Sequence, residues 1–359
     1  MRLLIDIGHP AHVHFFKNMV WNLEKRGHEV KIVARDKEVT LNLLKKYGFE
    51  YEISGGYRQN LLSKIADIPR RDFKLYRAAK KFRADILIGI CNPYIAHIGK
   101  LIGKHSITFT DTESVKLAGM ITYPFTDTIC TPACFREKLN PKKHVRYNGY
   151  KELAYLSPKY FKPDPSVLDD LGLSNSENFI ILRFISWGAS HDLSLRGMSR
   201  GCETEVVKRL EKYGRVLITS ERDLGNLEKY RITCSPDKVH SLLHYAQMYI
   251  GEGGTMAVEA AILGTPAIHI ESTVSGQASG EMYGNFLELR DRYDLLYFYS
   301  NHTEALDKVL EIFEAKNSKK EWGGKREKLL SEKIDVTSWM TDFVENYPQS
   351  FYEYMERGC

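Results

Sequence analysis

Residues 248–266 read MYIGEGGTMAVEAAILGTP, a run that joins a short apolar strand, a glycine-rich turn and an apolar helix. Glycines at a turn let backbone N–H groups approach an anion, and the amino end of the following helix favours negative charge. We therefore expect a phosphate site at Gly253, Gly254 and Thr255. Glu259 follows within two helical turns, and its carboxylate can accept two hydroxyl hydrogen bonds, as a ribose diol would offer. The structural alternative is an ordinary tight turn with a helix cap.

The alternation of strands and helices extends to both sides of this run. In the second half of the chain, apolar patterns predict strands over residues 179–185, 215–219, 248–250, 267–270 and 295–299. Helical patterns separate them over residues 204–213, 239–246, 256–263 and 303–313. Strands that alternate with helices in this way indicate a parallel sheet with helices on its faces.

The first half shows the same pattern. Strands are predicted over residues 3–7, 29–34, 49–53, 85–90 and 106–110, and helices over 15–23, 39–47, 61–82 and 93–103. Periodicity fades between residues 140 and 165 into prolines and charges, which predicts a linker. We therefore expect an α/β protein with two doubly wound domains, residues 1–150 and 151–340, that face a cleft. Ligands in such sheets bind beyond the carboxyl ends of the strands.

Length and composition limit the classes of function that this chain can have. With 359 residues, 43% of them hydrophobic, the chain can bury two cores. Its net charge of +5 suits phosphate-bearing ligands or an anionic membrane surface, and nucleic acid is not an expected partner. Six cysteines without a CxxC pair predict a reduced, cytoplasmic protein. No apolar run approaches the ~18 residues of a membrane span, although a peripheral membrane contact stays open.

The glycine-rich run resembles the donor-binding segment of GT-B glycosyltransferases, especially the MurG-like lipid-linked GlcNAc transferases, and of the related UDP-GlcNAc 2-epimerases. Gly253, Glu259, Gly264 and Pro266 match the pattern G-G/S-x₄-E-x₄-G-x-P of those enzymes. The upstream segment HSLL, which begins with His240 and includes Leu242, resembles the one whose backbone contacts the nucleobase there. The resemblance implies a GT-B architecture of two Rossmann-like domains. It also implies that the last segment, residues 341–359, crosses back to the first domain.

A second resemblance involves the start of the chain. GHPAHV, residues 8–13, is similar to the Gly-x-x-G-H-V loop of the MurG-like group, with Ala11 in place of the second glycine. Together with YNGYKELAY at residues 147–155 and the Glu259 segment, it looks most like the DUF354 family over nearly the whole chain. That family carries no settled reaction, so the mechanism has to come from the residues.

The first loop contains Gly8, His9, His12 and His14. We interpret His12 as a general base or phosphate partner, because the ordinary pKa of imidazole is near neutrality. A metal site is the rival interpretation, since the spacing is similar to the His-x-His of amidohydrolases and to a deacetylase His-Pro loop. The Asp-Asp of such a deacetylase is missing, and His14 should point away from His12, so we expect no metal. Histidines that only cap the helix are the structural alternative.

Asp111 follows the predicted strand 106–110. In the MurG-like resemblance an acidic residue at this position faces the acceptor. An inverting transferase needs a carboxylate or imidazole to take the proton of the acceptor hydroxyl, so Asp111 and His12 are both candidates for the base. Alternatively, Asp111 or Glu113 caps the following helix.

Two further loops of the second domain carry donor-site candidates. Arg183 ends a strand, and its guanidinium can fork onto diphosphate oxygens while Ser186 and Gly188 supply further donors. A salt bridge from Arg183 to an acidic neighbour is the alternative. Gln277 and Glu281 are the candidates for contact with the sugar ring, against the alternative of a flexible surface loop.

These expectations combine into one function. We predict a metal-independent hexosyltransferase that takes a nucleotide-diphosphate sugar, with UDP favoured by the resemblance, in cell-surface polysaccharide or glycoconjugate synthesis. The nucleotide sugar is a substrate, so no cofactor is expected, and the acceptor is an unknown sugar or lipid-linked molecule. The alternatives are an epimerase or hydrolase that acts on UDP-GlcNAc and a non-catalytic protein that binds nucleotide sugars.

Overall fold

The computed structural model describes residues 1–56, 61–174, 177–186, 195–198, 201–315 and 318–357, and for residues 61–66 and 318 the backbone only. The strands are β1 Arg2–Ile7, β2 Glu29–Asp36, β3 Tyr51–Gly56, β4 Ile86–Ile90, β5 His105–Phe109, β6 Thr128–Pro132, β7 His144–Tyr147, β8 Phe179–Phe184, β9 Leu195–Arg196, β10 Arg215–Ser220, β11 Met248–Gly251, β12 Ala267–Ile270, β13 Ser272–Thr273 and β14 Leu296–Tyr299. The helices are α1 Pro10–Lys25, α2 Thr40–Lys46, α3 Leu61–Phe82, α4 Pro93–Ile102, α5 Lys116–Thr122, α6 Leu153–Leu156, α7 Ser166–Asp170, α8 Glu203–Leu210, α9 Val239–Tyr245, α10 Gly254–Leu263, α11 Gly284–Asp291, α12 His302–Glu314, α13 Ser318–Glu332, α14 Val336–Glu345 and α15 Gln349–Glu356. Short 3-10 helices span Gly225–Tyr230 and Ser279–Met282.

The chain forms two compact units. Met1–Tyr160 and Ile334–Cys359 make up the first unit, and Phe161–Lys333 makes up the second. The first unit therefore extends past residue 150, where the sequence suggested a boundary. The carbonyl oxygen of Ala154 accepts hydrogen bonds from Asn18 of α1 at 2.8 Å and from Thr337 of α14 at 2.6 Å. These bonds hold the segment after residue 150 to the first unit.

The stretch interpreted from sequence as a linker is largely folded. β7 and α6 lie within it, and the rings of Tyr150 and Tyr155 are fully buried. Prolines and charges obscured the pattern, because this segment buries single aromatic side chains rather than a periodic apolar face. Residues 144–156 are therefore part of the first unit's core.

The first unit contains a parallel sheet with the order β3-β2-β1-β4-β5-β6-β7. The chain builds this sheet outward from β1 to β3 and then returns to place β4 on the other side of β1. The point where the direction reverses is where a crevice opens beyond the carboxyl ends of the strands. The loops after β1 and β4 meet at this switch point.

The second unit also contains a parallel sheet, with the strand order β10-β8-β11-β12-β14. Its switch point lies between β8 and β11. β9 and β13 form a separate small antiparallel pair. The prediction of two doubly wound α/β domains is confirmed.

The C-terminal helices belong to the first unit, as the fold prediction required. The ring of Trp339 on α14 stacks on Tyr147 at 4.8 Å between centroids and on Phe343 at 5.3 Å. The hydroxyl groups of Tyr347 and Thr128 lie 2.9 Å apart. These aromatic residues pack the two ends of the first unit together. In the part of the chain that the structure describes, no helix has the length and apolarity of a membrane span.

Candidate functional site

The glycine-rich loop lies at the switch point of the second unit, between the ends of β8 and β11. A Cβ atom at Gly251 would lie 2.6 Å from the carbonyl oxygen of Arg183, so only glycine allows the two strands to approach this closely. Gly253 has φ +85°, a conformation that other L-residues rarely adopt, and α10 begins at Gly254. The first-turn amides of α10, including that of Thr255, have no acceptor within the helix. The glycine turn and the amino end of α10 are the features on which the expectation of a phosphate site rests.

Glu259 on α10 meets His240 on α9. The Nε2 atom of His240 lies 3.0 Å from Oε1 of Glu259, and both side chains are almost completely buried. Thr265 at the end of α10 donates a hydrogen bond of 2.7 Å to the carbonyl oxygen of Leu243, which fastens the same two helices. Two residues that the sequence nominated separately thus form one pair.

Arg183 and Ser186 share an acidic partner. The Arg183 guanidinium is ion-paired with Glu221, and the backbone N–H and hydroxyl of Ser186 donate to the other carboxylate oxygen at 3.2 and 3.1 Å. This is the salt bridge that we considered as the alternative to a ligand contact. The Nε atom of Arg183 nevertheless lies only 3.9 Å from the Cβ position of Gly253, so the guanidinium stands beside the glycine loop.

Glu252 is a residue of this loop that the sequence analysis did not single out. It is fully buried, and its two carboxylate oxygens accept the backbone N–H groups of Ile185 and Met198, each at 2.9 Å. Burial raises the pKa of Glu252. A charged residue in a glycine-rich turn is usually exposed, so nothing in the local pattern indicates that Glu252 holds the chain after β8 in place.

The remaining donor-site candidates are Leu242, Gln277, Glu281 and Gly188. The backbone N–H of Leu242 donates to the carbonyl oxygen of Lys238, and the Leu242 carbonyl accepts from Ala246, so both groups take part in the hydrogen bonds of α9 and its caps. Gln277 is exposed in a tight turn after β13, where its backbone bonds to Thr273. Glu281 forms a 2.6 Å ion pair with Arg290 at the surface. Gly188 lies outside the described residues.

His12 stands at the switch point of the first unit, on the first turn of α1. Its Nδ1 atom accepts the backbone N–H of Gly8 at 3.3 Å, so a neutral ring carries its proton on Nε2. Loss of water around the ring and, to a smaller extent, the ammonium group of Lys151 lower the pKa of His12 to about 3, while the Asp111 carboxylate acts in the opposite direction. The pKa of His12 therefore lies well below the ordinary value of imidazole, because the ring is enclosed beside a cation.

Asp111 pairs with Lys151, which the sequence analysis placed in a linker. The distance between Lys151 Nζ and Asp111 Oδ2 is 2.7 Å, and the two side chains are only 12% and 11% exposed. The N-cap of α5 is Val115, so neither Asp111 nor Glu113 fills that position, and Glu113 instead accepts the backbone N–H of Arg136. His12, Asp111 and Lys151 come together from three distant parts of the chain.

The other histidines of the first loop have packing roles. His9 is the N-cap of α1, and its Nδ1 atom accepts the backbone N–H of Ala11. His14 is buried, stacks on Tyr155 and lies 3.3 Å from the hydroxyl of Tyr47. Within the described ranges, no three His, Cys, Asp or Glu side chains come together as a metal ion would require.

A buried polar cluster fixes the neighbouring loop after β4. Asn92 caps α4 with Oδ1 and donates a 2.6 Å hydrogen bond from Nδ2 to Asp6 on β1. The Arg71 guanidinium lies 3.3 Å from the same carboxylate oxygen and stacks on the ring of Tyr94. Gly89 leaves room for Asn92, since a Cβ there would come within 2.9 Å of it. This cluster holds the two strands at the switch point of the first unit in register.

Comparison with known proteins identifies the family of the chain. A family model described as "Protein of unknown function (DUF354)" matches residues 1–334. The chain belongs to the DUF354 family. The chain is similar to the uncharacterized protein MJ0665 of Methanocaldococcus jannaschii, which is 23% identical over 279 residues. The match covers 74% of this chain and 80% of MJ0665. The suspected family is thereby confirmed.

Solved structures extend the comparison to fold. The DUF354 chain is similar to the UDP-GlcNAc 2-epimerase of Neisseria meningitidis bound to UDP-GlcNAc, with a TM-score of 0.65, 10% identity and coverage of 96% of this chain and 99% of that one. It is also similar to MurG of Acinetobacter baumannii, with a TM-score of 0.56, 13% identity and coverage of 96% and 99%. The protein thus has the GT-B fold that these epimerases and glycosyltransferases share.

Proposed function

We propose that this DUF354 protein is a nucleotide-sugar-dependent glycosyltransferase whose donor site is the switch point of the second unit. The observation that carries the proposal is the buried pair of Glu259 and His240, whose carboxylate lies on the helix that begins at the glycine loop. A carboxylate held by a neighbouring imidazole keeps its position, and it can accept hydrogen bonds from a ribose diol.

The diphosphate of the donor fits the amino end of α10. The amides of Gly254 and Thr255 supply hydrogen bonds, and the helix dipole favours the negative charge. Arg183 stands beside this loop and is partly exposed, so a phosphate can take the place of Glu221 as its partner. UDP as the nucleotide is favoured by the UDP-GlcNAc bound to the Neisseria meningitidis enzyme.

We assign the base for the acceptor hydroxyl to Asp111. An imidazole with a pKa of about 3 is a poor base, and the Nδ1 lone pair of His12 is occupied by Gly8. The neutral His12 ring instead offers its Nε2–H as a hydrogen-bond donor. In this proposal the carboxylate of Asp111 takes the proton of the acceptor hydroxyl, while the new glycosidic bond forms and the bond to the nucleoside diphosphate breaks.

Thermal unfolding with UDP, GDP, CDP and ADP sugars tests the donor site. We expect one nucleotide series to raise the Tm of the wild type and to leave that of Glu259→Ala unchanged. Glu228→Gln, an exposed carboxylate of the same unit, is the control and should respond like the wild type. No shift with any nucleotide would contradict the proposal.

An epimerase or hydrolase that acts on UDP-GlcNAc is the second candidate. Asp111, Glu113 and Glu152 bring three carboxylates to the switch-point side of the first unit, and an acid and base pair on a sugar would need such groups. Incubation with UDP-GlcNAc alone separates the two functions. A 2-epimer or free UDP without an acceptor favours the second candidate, and turnover that needs an acceptor favours the transferase. Binding without any turnover would make the protein a non-catalytic binder.

A further inference from the structure

Large apolar side chains are exposed on α3, on α5 and just after α5 in the first unit, and both helices pack against α4. Phe73 on α3 is 60% exposed, Leu117 and Met120 on α5 are 55% and 72% exposed, and Phe125 just after α5 is 45% exposed. Isolated exposed apolar residues are common, whereas several together indicate a contact surface. We call these four residues the apolar patch.

The contacts of His97 show that the elements which carry the apolar patch lie on either side of α4. His97 on α4 lies 3.1 Å from a carboxylate oxygen of Asp72 and 3.0 Å from the carbonyl oxygen of Ile121. Asp72 precedes Phe73, and Ile121 follows Met120. The ring of Phe125 packs edge-on against His97 with centroids 5.2 Å apart. His97 thus contacts the residues next to Phe73 on α3 and next to Met120 on α5, and it contacts the Phe125 ring itself.

Cations surround the apolar patch. Arg70, Phe73, Arg77 and Lys81 follow each other at helical spacing on the exposed side of α3, and the Arg77 guanidinium lies 6.0 Å from the Phe73 ring. Lys100 on α4 and Lys116 on α5 are also exposed. In the described part of these helices the carboxylates are Asp67 and Asp72, and Asp72 is held by His97. The following side chains have no ion-pair partner among the described residues: Arg70, Arg77, Lys81, Lys100 and Lys116.

We infer that this face binds the surface of an anionic lipid bilayer. Aromatic and aliphatic side chains that enter the headgroup region, ringed by Lys and Arg that meet anionic headgroups, are the chemistry of peripheral membrane binding. The apolar side chains are strongly exposed on two helices and just after the second, which suits a deformable lipid surface. A second copy of the chain is a poor partner, because a symmetric contact would bring the same excess of cations against itself.

The position of the patch links it to the acceptor side of the proposed enzyme. α5 follows directly on the loop that carries Asp111, so a bilayer at Met120 and Leu117 would present a membrane-borne acceptor near that loop. Vesicle binding itself needs neither nucleotide sugar nor turnover. The inference therefore stands or falls separately from the proposed reaction.

Sedimentation with vesicles tests the inference on the full chain. We expect the wild type to sediment with vesicles of equal parts phosphatidylglycerol and phosphatidylcholine, to ignore pure phosphatidylcholine, and to be released by salt. Phe73→Ser with Met120→Ser should abolish binding. Arg77→Gln and Lys100→Gln should each weaken it about fivefold, as expected for loss of one cation near an anionic surface.

Matched controls come from exposed residues of the second unit. Val274→Ser and Lys229→Gln remove an apolar side chain and a cation of similar exposure, and both should bind vesicles like the wild type. Unchanged Tm values for all variants show that they fold. Absence of wild-type binding, equal binding to neutral vesicles, or patch variants that bind as well as the controls would each overturn the inference. A dimer in sedimentation equilibrium that Met120→Ser dissociates would assign the patch to self-association and overturn it too.

Discussion

His240 Nε2 lies 3.0 Å from Glu259 Oε1, and the contact joins the amino-terminal turns of α9 to the middle of α10 within the second unit. The pair sets the direction of a carboxylate that is almost completely buried. Because a hydrogen bond to a charged group is stronger than one between neutral groups, the orientation of Glu259 is fixed before any ligand arrives.

Glu259→Gln separates binding from folding. Glutamine has the same shape and can still accept a hydrogen bond from His240, so we expect the Tm without ligand to stay close to that of the wild type. The lost negative charge should weaken nucleotide binding by roughly tenfold to a hundredfold, the range for a hydrogen bond to a charged group. Titration calorimetry measures the affinity. An unchanged Kd would show that Glu259 does not contact the nucleotide.

Gly253→Ala tests the close approach at the glycine loop. Gly253 has φ +85°, and a Cβ there would lie 3.1 Å from the side chain of Ile185. Gly276 is a matched control, since it has φ +84° and open space around the Cβ position. Each alanine should cost about 1–2 kcal/mol for the left-handed backbone, and Gly253→Ala should cost more. Urea unfolding measures the free energy of unfolding of both variants. Equal losses would show that the Ile185 side chain moves aside without cost.

The contact between Asp111 and Lys151 should appear as an energetic coupling. Both side chains are nearly buried, so removal of one charge leaves the other in a poor environment. In a cycle of Asp111→Asn, Lys151→Met and the double variant, we expect a coupling of about 1–3 kcal/mol in urea unfolding. Additive losses would refute the coupling. If Asp111 is the base, Asp111→Asn should also abolish turnover and leave nucleotide affinity unchanged.

His12 predicts a change of stability with pH. Its pKa is about 3 in the folded protein against an ordinary value of 6.5, so between these values the unfolded chain binds a proton that the folded chain does not. The contribution of His12 to the free energy of unfolding is fully present above pH 6.5. It falls by at most about 1.4 kcal/mol per pH unit as the pH drops towards 3. His12→Asn keeps an acceptor for the Gly8 N–H and removes the titration. Urea unfolding at several pH values should show a shallower loss for the variant, and parallel curves would contradict the assigned pKa.

The sequence predicted the two sheets well where the strands are continuous apolar runs. β1, β4, β8 and β12 were found within a residue or two because buried parallel strands contain such runs. β6, with the sequence TICTP, was missed because its buried positions are filled by threonines that carry no apolar signal. Its threonines are fully buried, so tertiary packing decided what the local pattern did not.

The site was predicted in part. Glycines and Glu259 could be recognised because their spacing along one helix and one turn is a local property. The partner of Asp111 could not, since Lys151 lies far along the chain in a segment without periodicity. The pKa of His12 depends on that same lysine and on enclosure of the ring, and neither is visible in a histidine-rich hexapeptide. The spacing of residues along the chain indicates local geometry, whereas the electrostatic environment of a side chain depends on residues that only the folded structure brings together.

The return of α14 and α15 to the first unit makes the second unit an insertion within the first. Residues 161–333 form an uninterrupted stretch, and synthesis can complete that unit before the first one has all of its parts. The first unit must wait for residues 334–357, whose Thr337 and Tyr347 contact Ala154 and Thr128. Domains that fold during synthesis usually do so in order from the amino terminus. Here the order of completion is reversed, and a chain truncated after residue 333 would contain all of the second unit and only part of the first.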